Sequence, residues 1–189
     1  LHDALPILDT VLTDDARLNV RLTAEELAID GDVRQPLRVV LDSGLRLPPF
    51  APMFDVPGDV RIYTRDVDAG IHHDGLTARG VQLVAAPQAE SGLDLEFILR
   101  DLAQQGISEV LVESGPKLAG AFVDQGWVDE LIIYQAPGLL GHKAQPCLAL
   151  PSPDRLDGAR RWQIRDTLTV GSDLRITLVP RVDSLGATG

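Results

Sequence analysis

The chain has 189 residues, 44% apolar and 24% charged, an ordinary globular composition with enough apolar content to bury a core. Its 28 acidic residues against 17 basic ones give a formal net charge of −11; such a surface repels phosphate backbones, and no basic run interrupts it, which excludes a nucleic-acid partner. One cysteine, Cys147, leaves no internal disulfide and points to a reducing cytoplasm, and no apolar stretch reaches the roughly 18 residues of a membrane span.

In chain order, Leu37 to Leu41 is a β-branched apolar run closed by Asp42-Ser43-Gly44, and Val60 to Thr64 follows Pro57-Gly58. Both predict strands, as does Val81 to Val84. The polar stretch from Asp66 to Asp74, with His72-His73, reads as a surface loop. Leu95, Ile98, Leu99 and Leu102 share one helix face, with a capping box offered by Ser91 to Asp94 and a stop at Gly106. Val110 to Val112 is the most apolar strand and runs directly into Glu113-Ser114-Gly115-Pro116. A short amphipathic helix from about Lys117 to Gln125 follows and stops at Gly126. Val128 to Tyr134 is a fifth strand, continuous enough at Leu131-Ile132-Ile133 to be central. Trp162 to Arg165, Thr167 to Val170 and Leu174 to Val179 read as antiparallel strands, with Gly171-Ser172-Asp173 as the turn. Residues 181–189 carry little apolar content and are expected to form a disordered tail.

This alternation predicts an α/β fold: a mostly parallel central sheet with helices on both faces and an antiparallel C-terminal hairpin. Ligands of such sheets bind beyond the carboxyl ends of the strands. The segments after Leu41, Thr64 and Val112 are therefore the places for chemistry.

The junction Val112 to Ala121 is the most informative of them. A strand ends in a glycine turn and a helix begins at once, so unsatisfied amides and the helix dipole favour an anion there. Gly115 permits close approach to the main chain, and Pro116 suits the first helical turn. A plain strand–helix turn without ligand fits the same residues, since the glycine spacing matches neither a P-loop nor a dinucleotide fingerprint. Asp14-Asp15 is open to two readings, an acid/base or metal pair and a solvated turn. His142 reads as a loop residue, Cys147 as a small core residue without a zinc partner, and Trp127 and Trp162 as packing residues. No metal site is expected.

Taken together, these segments resemble the C-terminal reductase domain of the bacterial bifunctional riboflavin-biosynthesis deaminase/reductase. The matching stretches are Thr10 to Arg21 (TVLTDDARLNVR), Gln35 to Ser43 (QPLRVVLDS), Val112 to Gly120 (VESGPKLAG), Val128 to Leu131, Ala136-Pro137 with Leu140-Gly141, and Gly171 to Asp173. The resemblance implies a dihydrofolate-reductase-like fold and NADPH as cofactor. The implied reaction reduces the ribosyl group of 5-amino-6-(5-phosphoribosylamino)uracil to a ribityl group. Residue by residue, it implies cofactor contacts at Thr10, Asp14 and Ser43. It also implies a pyrophosphate-holding helix start formed by Gly115, Pro116, Lys117, Leu118, Ala119, Gly120 and Ala121. Leu18, Arg21 and Glu113 are implied substrate contacts, Arg21 suiting the 5′-phosphate because its guanidinium binds an oxyanion bidentately. Asp14 and Glu113 are the carboxylates suited to a catalytic role. Arg65, just past the second strand, is our candidate for the 2′-phosphate of NADPH. A cytoplasmic homodimer is the expected assembly.

Three departures accompany the match. Ala16 replaces the proline usual after the paired acids. Leu1 to Ile7 reads neither as a secretory signal nor as the family's first strand, so residues 1–7 are expected to be a foreign segment and residues 8–180 a reductase domain lacking its first strand. The zinc deaminase half is absent. Two rival readings follow: another dihydrofolate-reductase-like NADPH reductase, and a truncated nucleotide-binding fragment without activity.

Overall fold

The computed structural model describes residues 3–4, 11, 16–68, 71–90, 92–152 and 162–181. The chain packs as two units, residues 1–119 and 120–189.

The first unit is built on five parallel strands, in order β4-β3-β2-β1-β7. These are β1 (Asp3–Ala4), β2 (Arg38–Leu41), β3 (Val60–Thr64), β4 (Gln82–Ala85) and β7 (Val110–Leu111). A small antiparallel pair, β5 (Gln88–Ala89) and β6 (Gly92–Leu93), lies between β4 and β7 in sequence. The runs at Leu37 to Leu41 and Val60 to Thr64 form strands because both sheet faces are covered: Val39, Val40, Ile62 and Tyr63 are fully buried. The expected gap at the first strand is filled. Asp3–Ala4 sits between β2 and β7 and pairs with both. Leu-His-Asp-Ala shows no strand period, and it is the two flanking ladders, each needing a partner, that hold it extended.

The described residues include the α-helices α1 (His73–Ala78), α2 (Leu95–Gln104) and α3 (Pro116–Asp124) and a 3-10 turn at Pro52–Asp55. Helix α1 corrects the loop reading of His72-His73. His72 caps it and His73 opens it, with its Nδ1 2.6 Å from the carbonyl of Val67. One buried apolar residue, Leu76, is too little to print a period. Helix α2 presents Leu95, Ile98 and Leu102 to the interior, as its spacing predicts. Its cap is Asp94, whose carboxylate accepts from the amide of Phe97 at 3.0 Å; Ser91 of the expected capping box lies outside the described residues. Helix α2 is tied to the sheet by Asp101, which accepts from Arg61 at 2.8 Å and from the Tyr63 hydroxyl at 2.6 Å. Burial and then this hydrogen bond raise the Tyr63 phenol far above the ordinary tyrosine range.

The second unit contains an antiparallel sheet in order β8-β10-β9, with β8 (Leu131–Gln135), β9 (Trp162–Val170) and β10 (Asp173–Pro180). The C-terminal hairpin is as predicted, with Gly171 at φ +61 in its turn and a register shift near Thr177. Strand β8 is an edge of this sheet, not a central strand, paired with β10 alone among the described residues, and its Ile132 is exposed. Cys147 is exposed in a loop rather than packed as a small core residue. Trp127 is 41% exposed and donates its indole N–H to Gln125.

Within this unit Gly120 is pressed against main chain. A Cβ added there would stand 2.2 Å from the carbonyl oxygen of Ala149. Backbone yields less readily than a side chain, so Gly120→Ala is expected to destabilise the protein by about 1–3 kcal/mol despite the better helix propensity of alanine. Thermal unfolding of the variant checks this; a raised melting temperature would contradict it.

Candidate functional site

Because β1 to β4 and β7 all run parallel, their carboxyl ends share one edge of the first unit. Strand order reverses about β1: β2, β3 and β4 extend on one side of it and β7 lies on the other. The crevice beyond such a switch point is where open α/β sheets bind ligands. The segments following β2, β3 and β7 carry Ser43, Arg65 and Glu113, so three widely separated stretches meet at that edge. With a strand spacing of about 4.8 Å, the ends of β2 and β7 are about 10 Å apart across β1.

After β2 the chain turns on Asp42, which is 1% exposed. Its carboxylate accepts from the amides of Gly44 at 3.3 Å and Leu47 at 2.7 Å, an Asx turn that freezes the loop. Ser43 is exposed at its tip. Arg65 folds onto the same point, donating its Nε to the Ser43 carbonyl at 3.0 Å and its backbone amide to the same oxygen at 3.4 Å. Arg46, its side chain 66% exposed, stands 3.9 Å from Asp42. Two guanidinium groups thus border Ser43 on an otherwise acidic protein. Arg46 was not singled out from sequence; its signal was a lone cation two residues beyond the predicted turn.

The β7–α3 junction is open. Glu113 is exposed and Ser114 to Pro116 are half-buried, while a Cβ added at Gly115 would meet nothing within 4 Å. Ala119 donates to the carbonyl of Gly115 at 3.2 Å and is the first amide to enter the helix ladder. The amides of Gly115, Lys117 and Leu118 precede it without a carbonyl one turn back, and Pro116 has no N–H to lose. These three fit the role of an anion-holding helix start. Gly120 and Ala121, one turn further, differ: Gly120 is buried and lacks a side chain because Ala149 occupies the space.

Thr10 and Asp14 lie outside the described residues. Leu18 has a positive φ of 54 and packs against the core around Val40 and Leu47. Arg21 is exposed and makes no ion pair among the described residues. A cavity of about 80 Å³ lined by Arg38, Asp59, Val60 and Arg79 lies at the opposite, amino-terminal edge of the strands and contains none of the predicted site residues. Among the described residues no group of three or more His, Cys, Asp or Glu side chains could hold a metal, and no helix is long and apolar enough to cross a membrane.

Residues 5–176 match the family model of the RibD C-terminal domain. The chain is 33% identical over 183 residues to the riboflavin biosynthesis protein RibD of Escherichia coli (strain K12), an alignment covering 94% of this chain and 48% of that protein. It is 28% identical over 177 residues to the 5-amino-6-(5-phosphoribosylamino)uracil reductase of Buchnera aphidicola subsp. Acyrthosiphon pisum (strain APS), covering 91% of this chain and 83% of the other. Among solved structures, Acinetobacter baumannii RibD, form 2, superposes with a TM-score of 0.80 at 30% identity over 95% of this chain and 47% of that one. The riboflavin biosynthesis reductase Rib7 of Saccharomyces cerevisiae shares the fold, with a TM-score of 0.69 at 15% identity over 95% of this chain and 75% of that one. The chain spans about half the length of the RibD proteins it matches. A parallel sheet with its open strand–helix junction, an antiparallel hairpin, and a match over most of the sequence together place this chain in the RibD C-terminal domain family.

Proposed function

We propose that this domain reduces 5-amino-6-(5-phosphoribosylamino)uracil to its ribityl product with NADPH. The observation that carries the reading is the open β7–α3 junction, where a Cβ on Gly115 would meet nothing within 4 Å and the first-turn amides have no helical carbonyl to pair with, beside the exposed Glu113 on the strand edge shared with Ser43 and Arg65. NADPH, when bound, supplies the hydride. The amides of Gly115, Lys117 and Leu118 suit its pyrophosphate, and Ser43 with Arg65 suits the adenosine end, the Arg65 guanidinium pairing with the 2′-phosphate. Thr10 completes the cofactor contacts by resemblance.

The substrate's 5′-phosphate goes to Arg21, the one implied substrate contact that carries a positive charge. Glu113 and Leu18 hold the remainder of the substrate. As the ring-opened sugar is reduced at C1′, the heteroatom double-bonded to that carbon takes up a proton. Asp14 supplies it, and positioning by the surrounding residues accounts for most of the rate.

The protein works as a homodimer. The support for this is the sheet of the second unit, where Ile132, Tyr134, Leu168 and Val170 are 44%, 61%, 40% and 48% exposed. Cross-strand register sets Tyr134 and Leu168 on either side of Arg175, so these apolar groups share one face.

NADPH oxidation followed at 340 nm is expected on adding the deaminated pyrimidine substrate, and Asp14→Asn is expected to lower kcat by at least about 100-fold with little change in KM. Unchanged turnover in that variant would remove Asp14 from the chemistry, and absence of turnover in the parent chain would overturn the reading. Arg65→Ala is expected to raise KM for NADPH about tenfold while leaving KM for NADH unaltered; an equal rise for both would remove Arg65 from the 2′-phosphate. Sedimentation equilibrium is expected to show a dimer that Leu168→Glu converts to monomer.

A further inference from the structure

We infer that Gln35 is a positioning residue for substrate phosphate: its carboxamide serves as a strand partner to Val20 and thereby fixes where Arg21 stands. The inference rests on the reading of Arg21 as the phosphate contact. Residues 16–20 have no regular secondary structure, and Leu18 among them adopts a positive φ. Such a backbone does not hold itself, so something must. Arg21 is exposed and has no side-chain partner among the described residues to place it. Its location follows from the main chain immediately before it.

That main chain is gripped on both of its hydrogen-bonding groups. The amide of Val20 donates to Gln35 Oε1 at 3.0 Å, and Gln35 Nε2 donates to the Val20 carbonyl at 3.5 Å, across 15 residues of sequence. This reciprocal pair is what an antiparallel neighbour would provide, and a carboxamide, with its donor and acceptor on separate atoms of one planar group, matches the amide and carbonyl of a backbone residue. Gln35 is itself immobilised. Pro36 is buried and restricts the residue before it to extended backbone. Gly58, at φ +112, approaches so closely that a Cβ on it would stand 3.0 Å from the Cβ of Gln35. A second tether, from Arg38 Nη1 to the Arg17 carbonyl at 3.4 Å, secures the other end of the segment. On a chain of net charge −11, a phosphate dianion meets no general attraction, so the placement of a single guanidinium decides its binding.

The test is calorimetric binding of 5-amino-6-(5-phosphoribosylamino)uracil and of its dephosphorylated ribosyl counterpart to the parent chain, Arg21→Ala, Gln35→Ala and the isosteric Gln35→Glu, which keeps the acceptor and loses the donor. The parent is expected to prefer the phosphorylated ligand, and both Gln35 variants to lose about five- to tenfold of that preference with unchanged affinity for the dephosphorylated one. In Arg21→Ala the Gln35 change is expected to cost nothing further. A parent that shows no phosphate preference, or keeps it in Arg21→Ala, overturns the Arg21 reading and the inference with it. Loss of preference in Arg21→Ala but not in the Gln35 variants, or equal weakening of both ligands by Gln35→Glu, overturns the inference alone.

Discussion

A guanidinium withdrawn from water must be given acceptors, and the one at Arg38 organises much of the first unit. Arg38 opens β2 and is 1% exposed. No carboxylate within reach neutralises it by an ion pair among the described residues. Instead it donates to the carbonyls of Met53 and Gly58, and at longer range to Val56 and Arg17. Burial lowers its pKa from the ordinary arginine value, against the pull of Asp59. A buried cation with partial compensation is expensive, and one held by carbonyls of two separate segments, the β2–β3 connection and the stretch at Arg17, converts that expense into a fixed geometry. One side chain thus positions the turn around Met53 and the loop before β3, and tethers the far end of the segment that Gln35 holds at Val20.

Parallel strands then do the rest. Their ladders run in one direction, so every turn that follows a strand emerges on the same side, however far apart the turns are in sequence. Asp42 rigidifies the first of these turns, Arg65 clasps it from the second, and Gly115 leaves the last unobstructed. Side chains with chemistry are thus delivered by strand ends, while α2 and its Asp101 tether to Arg61 and Tyr63 keep the support behind them rigid. Among the described residues the buried side-chain atoms Asn19 Oδ1, Arg38 Nε and Arg175 Nε have no hydrogen-bond partner.

How much of this could be read from residues alone depends on the range over which each feature is made. Strands β2 and β3 and helix α2 announce themselves through local apolar periodicity, and the β7–α3 junction through the run from Val112 to Gly120. Features made by partners elsewhere do not. Asp3–Ala4 is a strand because of its neighbours, and α1 is a helix with one buried apolar anchor. Cys147 was expected inside and Ile132 within a central strand, because apolar character indicates burial without saying which loop or edge receives it. The places of Ser43 and Glu113 just after strands were legible in the sequence, whereas the roles proposed for them come from the family resemblance. Gln35 was not legible, since its meaning lies wholly in a contact 15 residues away. Gly120 was legible as a small residue, but the carbonyl of Ala149 that requires it was not.

The sole thiol of the chain has a practical consequence. Cys147 is exposed and lies two residues before the backbone that presses on Gly120. A maleimide dye would therefore attach at one address without any prior cysteine removal, next to the helix whose amino end offers the free amides. Fluorescence from that label gives an optical handle on helix α3 in the unmutated protein.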